Sequence, residues 1–289
     1  MPGTAQLSDR IAMLKSPIPG NETAMQKNRI PQFQKKILSF YRKHGRRLPF
    51  RDTRDPYSIT VSEIMLQQTQ VDRVVPKYRA WIRRFPNWRT LAKASPQEVL
   101  SLWSGLGYNR RAIHLRDLAK TVVSKYRGKI PDDPNLLVAL PGIGPYTANA
   151  ICIFAFNKDV TTIDTNIRRV LIHELGLRSN VSLKSLKTVA TGVLPKGKSR
   201  DWHNALMDYA ALALPETPRI KPLSKQSPFK GSIRQIRGQL VLRLMSAHSL
   251  KRKHLAAKLQ TTEAKLDAAL FGLIRDRLVV MRKGSISIR

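Results

Sequence analysis

Leu140-Pro141-Gly142-Ile143-Gly144-Pro145-Tyr146 is the stretch on which the fold turns. An apolar helix end (Leu136, Leu137, Leu140) runs into a turn with two glycines, and Pro145 brings the fixed φ that opens a new helix. Glycine admits positive φ and close backbone approach. The N–H groups at the start of the next helix then form a ready anion site. Two readings fit this spacing: a hairpin between helices that grips a phosphate through Gly142, Ile143 and Gly144, and a tight αα-turn that binds nothing.

Charge tips the balance toward the first. The 289 residues carry 52 Lys and Arg against 19 Asp and Glu, a net +33. Such a surplus points to a phosphate polymer or an anionic membrane surface rather than an acidic or neutral partner. No apolar run approaches the roughly 18 residues of a membrane span. Hydrophobic residues make up 42 % of the chain, enough for a real core and too many for a disordered basic tail. Cys152 is the single cysteine. It excludes an internal disulfide, a multi-cysteine zinc site and a four-cysteine iron–sulfur cluster. No metal or cofactor is expected. Its apolar neighbours Ala150, Ile151, Ile153 and Phe154 make it a core residue.

Working outward, the pattern is helical from Ile30 to about Leu214. Phe33, Ile37, Phe40 and Tyr41 share one face, and Gly45 follows as a stop. Asp55-Pro56 reads as N-cap and first helical residue of a segment through Gln68. Ser95-Pro96-Gln97-Glu98 is a capping box. Residues 1–28 read as a flexible tail without the apolar centre of a secretory signal. Residues 215–232 hold Pro215, Pro218, Pro222 and Pro228 and read as a linker. Beyond it, residues 233–289 suggest three helices, the second capped by Ser249, and a terminal hairpin turning at Lys283-Gly284. Residues 229–289 carry 14 Lys and Arg against 3 Asp and Glu, net +11.

Two carboxylates stand out. Asp164 precedes an amphipathic helix in Thr161-Thr162-Ile163-Asp164-Thr165-Asn166-Ile167-Arg168. Its commonest role is an N-cap; the sharper one is a carboxylate that stabilises a cation on deoxyribose. Glu63, in Ser62-Glu63-Ile64-Met65-Leu66-Gln67-Gln68-Thr69-Gln70, lies among apolar residues. It is either a solvated surface group or a half-buried acid with a raised pKa, suited to proton donation.

These motifs, in this order, resemble the helix-hairpin-helix DNA glycosylase superfamily, in its adenine-specific, MutY-type branch. The likeness runs from Leu48-Pro49-Phe50-Arg51 through SEIMLQQTQV (62–71), Trp103-Ser104-Gly105-Leu106-Gly107-Tyr108 and LPGIGPYTANA (140–150) to IDTNIRRV (163–170). It implies a glycosylase domain over residues 29–214, which the helical pattern makes all-α. The three helices and hairpin of 233–289 read as a small winged helix-turn-helix, in place of the C-terminal domain that family members often carry. The likeness also implies that Glu63 protonates a flipped adenine and that Asp164 stabilises the sugar cation. Tyr146 stands where bifunctional relatives keep a Schiff-base lysine, so base release without strand nicking is expected. Gln68, Leu106 and Tyr108 would wedge or fill the duplex, although Leu106 and Tyr108 also suit a core. Arg51, Asn166 and Asp208 match positions around the base and the catalytic aspartate.

The sequence departs from the family at its cluster cysteines, for which Leu212-Ala213-Leu214-Pro215-Glu216-Thr217 has no counterpart, and at Phe50 and Asn109-Arg110-Arg111. Asn109 resembles relatives that act on other bases, including thymine in G·T mismatches, whereas the intact MLQQTQ run (65–70) favours adenine. The expected partner is duplex DNA with a mispaired adenine, bound by a monomer in the cytoplasm with the chromosome and away from membranes. A thymine or uracil glycosylase and a non-catalytic DNA-binding regulator are the rival readings.

Overall fold

The structure is a computed structural model that describes residues 23–215, 228–247 and 249–289. The expected tail up to residue 22 and most of the proline-rich linker lie outside the described residues. Helices follow one another from the start: α1 (Thr23–His44), α2 (Pro56–Leu66), α3 (Val71–Arg84), α4 (Trp88–Lys93), α5 (Pro96–Trp103) and α6 (Arg110–Tyr126). Then come α7 (Pro134–Val138), α8 (Pro145–Phe154), α9 (Thr165–Leu175), α10 (Leu183–Gly192) and α11 (Ser199–Leu212). The C-terminal part runs α12 (Ile233–Ala247), β1 (Ser249–Lys251), α13 (Leu255–Lys258), α14 (Glu263–Arg275), β2 (Val279–Arg282) and β3 (Ser285–Ile288). No described helix is long and apolar enough to cross a membrane.

The chain forms two compact units, interleaved along the sequence. The first holds residues 23–54, Asp132–Pro134 and residues 145–215; the second holds Asp55–Pro131, Asn135–Gly144 and residues 228–289. In the first, α11 packs on α1 and α9. Ile37, Val170, Leu171, Trp202 and Leu206 are buried at its core, where Phe33 meets Trp202 edge to face at 5.3 Å. In the second, Trp81, Phe85 and Trp103 form edge-on pairs, and the buried Tyr57 hydroxyl donates to the Phe85 carbonyl at 2.6 Å. Its α12 packs on α5, α14 and the sheet.

Several local signals hold as read. Asp55 caps α2, accepting from Ser58 N at 2.9 Å. Ser95 and Glu98 form the reciprocal capping box of α5, at 3.2 and 3.1 Å. Cys152 is buried; its Sγ donates to the Asp132 carbonyl at 3.2 Å, and burial pushes the thiol up to about 11.

Two boundaries differ. α1 begins at Thr23, ahead of Ile30, so residues 23–28 are helical rather than tail. Pro31 lies within it, where its missing N–H removes one backbone bond, and the mixed residues before it carry no apolar stripe to mark the extension. Ser249 caps no helix. It opens β1, which pairs antiparallel with β3, Leu250 opposite Ile286, and the sheet order is β1-β3-β2. A three-residue strand is too short to announce itself by alternation; only its partner far along the chain defines it.

Candidate active site and nucleic-acid interface

The hairpin keeps the turn that its glycines require. Leu140 N–H bonds the Leu137 carbonyl at 3.0 Å, and Ile143 N–H bonds the Leu140 carbonyl at 3.2 Å. Gly142 takes φ +75°, and a Cβ there would come within 2.7 Å of the His114 Cβ. Two independent reasons therefore demand glycine. Ile143 is buried as an anchor, while Gly142, Gly144 and Pro145 are exposed. His114 accepts from Arg110 Nε at 2.9 Å; burial and the neighbouring Arg110 hold its pKa low, so it supports the turn as a neutral ring. Tyr146 is the second residue of α8 and is half-buried.

In the first unit, Asp164 is the N-cap of α9. Its Oδ1 accepts from Ile167 N at 2.7 Å, and its Oδ2 accepts from Asn166 Nδ2 at 3.3 Å. Burial pushes its pKa up, while these N–H donors work in the opposite direction. Cap and special carboxylate are thus compatible: one oxygen holds the helix and the other has a side-chain partner. Asn149 Nδ2 donates to the Thr161 carbonyl at 3.0 Å, pinning the approach to Asp164.

Asp208 is fully buried. Arg51 donates to both its oxygens at 2.7 and 2.9 Å, and Arg46 adds its backbone N–H at 2.8 Å and Nε at 2.7 Å. Burial alone would raise this carboxyl, but the Arg51 fork and Arg46 outweigh it and hold it below the ordinary range. Arg51 and Asp208 thus come together as a satisfied ion pair, and neither bonds Asp164 or Asn166 among the contacts described.

In the second unit, α2 is buried nearly all round. Between Tyr57 and Met65, Glu63 is the one residue not buried. A helix this apolar has no surface face on which a charge would normally ride, so its half-buried carboxylate is an exception to its surroundings. Gln68 follows α2, exposed, with φ 55°. Tyr108 is exposed, with φ 48°. Leu106 is 5 % exposed, so of its two readings the structure favours core, because its side chain packs inward while Tyr108 faces solvent.

Arg111, named above only within a run that departs from the family pattern, is a hub of backbone contacts. Its Nη1 donates to the carbonyls of Ile64 (2.7 Å), Met65 (3.1 Å) and Gln67 (2.7 Å). Its Nη2 donates to Thr69 Oγ1 and to the carbonyls of Leu106 and Gly107, each at 3.2 Å. Carbonyls leave no mark in a sequence, and no motif could have announced this hub.

A profile of the HhH-GPD superfamily of base excision DNA repair proteins matches residues 61–191, a span that includes Glu63, the hairpin and Asp164. An adenine DNA glycosylase of Mycolicibacterium smegmatis is 36 % identical over 84 % of this chain and 91 % of its own length. The mouse adenine DNA glycosylase is 35 % identical over 73 % of this chain and 44 % of its own. Among solved structures, a thermostable thymine-DNA glycosylase superposes with a TM-score of 0.61 at 31 % identity, covering 68 % of this chain and 93 % of that one. An endonuclease III–DNA covalent intermediate superposes at 0.55 with 19 % identity, over 62 % of this chain and 84 % of its own, a likeness of fold.

Proposed function

Because this chain belongs to the HhH-GPD superfamily of base excision DNA repair proteins, we propose that it is a monofunctional DNA glycosylase that hydrolyses the N-glycosidic bond of adenine mispaired with 8-oxoguanine or guanine. One observation carries the assignment of the acid: Glu63 is the single residue not buried between Tyr57 and Met65, inside the matched span. A carboxyl set into an otherwise buried helix is placed to act as a general acid toward a group brought against it.

In this reading Glu63 protonates a ring nitrogen of the flipped adenine. The glycosidic electron pair leaves with the base, and an oxocarbenium-like sugar forms. The Asp164 carboxylate, oriented by Ile167 N–H and Asn166, stabilises that cation until water adds to C1′ and loses a proton. Tyr146 supports the monofunctional assignment, since a phenol forms no imine with the sugar. Gln68 and Tyr108, both exposed, suit contact with the duplex around the vacated stack. The exposed Gly142–Gly144 backbone and the start of α8 suit a phosphate. Arg51 and Asp208 form a buried ion pair within the first unit. The helices and three-stranded sheet of residues 233–289, with their positive surplus, suit a winged module that adds a second grip.

The residues do not fit an iron–sulfur cluster. One cysteine cannot replace four thiolates, and Cys152 is a buried, protonated thiol. We therefore read the enzyme as cluster-free.

A second reading has its own support. The thymine-DNA glycosylase likeness, together with Asn109-Arg110-Arg111, favours thymine or uracil opposite guanine. Single-turnover assays on A·8-oxoG, A·G, T·G and U·G duplexes separate the two. Adenine release from the first two, abolished by Glu63→Gln while duplex binding persists, is the expected result. Undiminished excision by Glu63→Gln would sink the assignment of the acid, and excision confined to T·G and U·G would replace adenine as the substrate.

A further inference from the structure

Resting on the reading that Gln68 and Tyr108 meet the duplex, we infer that Arg111 is a positioning residue that sets the backbone of the two turns carrying them, and so governs extrusion of the base rather than the bond cleavage.

The argument starts from helix ends. The last carbonyls of α2 have no intrahelical donors, and a buried acceptor left unpaired is costly. Arg111 Nη1 satisfies Ile64, Met65 and Gln67, and so fixes where α2 stops. Its Nη2 reaches the second turn, at Leu106 and Gly107, and the hydroxyl of Thr69 in the first. That hydroxyl also lies within bonding range of the Gln67 and Leu106 carbonyls, at 3.3 and 3.4 Å. One planar fork therefore ties both turns to one another and to the helix that carries Glu63.

What it ties down is strained. Gln68 and Tyr108 are non-glycine residues in the left-handed region, at φ 55° and 48°. Such residues persist there only where the surroundings over-determine them. Gln68 directly follows a carbonyl bonded by Arg111, and so does Tyr108. The guanidinium also stacks over the rings of Trp103 and Tyr108, at 5.1 and 5.6 Å to the centroids, which fixes its plane. Lysine would keep the charge but has neither fork nor plane.

The test uses the full chain in a Glu63→Gln background, so that no base is released. The probe is 2-aminopurine opposite 8-oxoguanine, whose fluorescence rises on unstacking. Arg111→Lys should slow that rise by about 10–100-fold, the scale of leaving buried carbonyls without a donor, while equilibrium duplex affinity changes less than about threefold. Thr69→Val, which removes one acceptor and leaves the arginine in place, should show the same signature at smaller size. It decides the matter if Arg111→Lys lowers the melting temperature enough to unfold the protein. An unchanged fluorescence rise in well-folded variants overturns the inference, as does a loss of affinity equal to the loss of extrusion rate. The absence of any rise with Arg111 intact overturns the base-flipping reading itself, and this inference with it.

Discussion

Arg234 Nη1 donates to the Tyr108 hydroxyl at 2.8 Å, although 126 positions separate the two residues. The same guanidinium lies over the rings of Tyr108 and Phe229, at 5.5 and 5.3 Å to their centroids. Close by, Asp276, almost fully buried, is paired with Arg110 at 3.2 Å and with Arg237. The C-terminal module is thereby fastened to the turn that presents Tyr108.

That fastening separates two kinds of arginine and lysine. Arg234 is committed to Tyr108, so Arg234→Ala should slow excision several-fold yet leave the slope of log Kd against log salt unchanged. Lys251 and Lys283 are exposed on the strand and hairpin of the module. Replacing both with alanine should weaken duplex binding and make that slope shallower by about one per lost phosphate contact. Filter binding or anisotropy across a salt series reads both. Equal slopes for the double variant and the parent would remove the module from the DNA interface.

Asp164→Asn should separate activity from stability. Asparagine still caps α9, since it serves that position about as well as aspartate. Loss of the anion should cost about 10²–10³-fold in single-turnover excision, the usual scale for removing one preorganised electrostatic partner. Stability should move the other way. The folded-state pKa of Asp164 is raised above its unfolded value, chiefly by burial. Its favourable contribution is therefore present at low pH and is lost as pH rises through the folded pKa. At neutral pH the variant should melt at or above the parent's temperature, with the gap closing under acid. A variant that melts lower at pH 7 and recovers nothing in acid would contradict this.

Gly142→Ala tests the hairpin. The added Cβ meets His114 at 2.7 Å, and φ +75° is unfavourable for any side chain. The left-handed conformation alone costs about 1–2 kcal/mol, and the clash adds to it. Urea denaturation should show at least that loss, with weaker duplex binding in the surviving folded fraction. Gly144 has open space around its Cβ position and no positive φ, so Gly144→Ala should be far milder in stability.

Tyr146→Lys places an amine where the present side chain is a half-buried phenol. Borohydride trapping on substrate duplex should yield a covalent adduct with this variant and none with the parent. No adduct from a variant that still releases base would place position 146 out of reach of the sugar.

The parts that were legible in the sequence share a short range. The caps at Asp55, Ser95 and Asp164, the hairpin glycines and the stripe Phe33–Ile37 are each decided by residues within one or two helical turns, where residue type dictates the bond. Asp164 shows the limit of this. Its cap was readable, whereas its burial depended on residues far along the chain. Arg111, β1 and the Asp208 ion pair were not readable for the same reason. Arg111 reaches carbonyls up to 47 positions away; β1 is defined by a partner 34 to 38 positions on; and Arg51 meets Asp208 across 157. Leu106 suits a wedge into the duplex and a core position alike, because a leucine in a glycine-flanked turn carries no mark of which way it faces.

Cys152 bears on how the protein meets oxidants. It is the chain's only sulfhydryl, it is sealed from solvent, and its elevated pKa keeps it from the thiolate form that peroxides attack. The chain therefore presents no reactive thiol to peroxide, and treatment with hydrogen peroxide should leave this position unmodified in the folded protein.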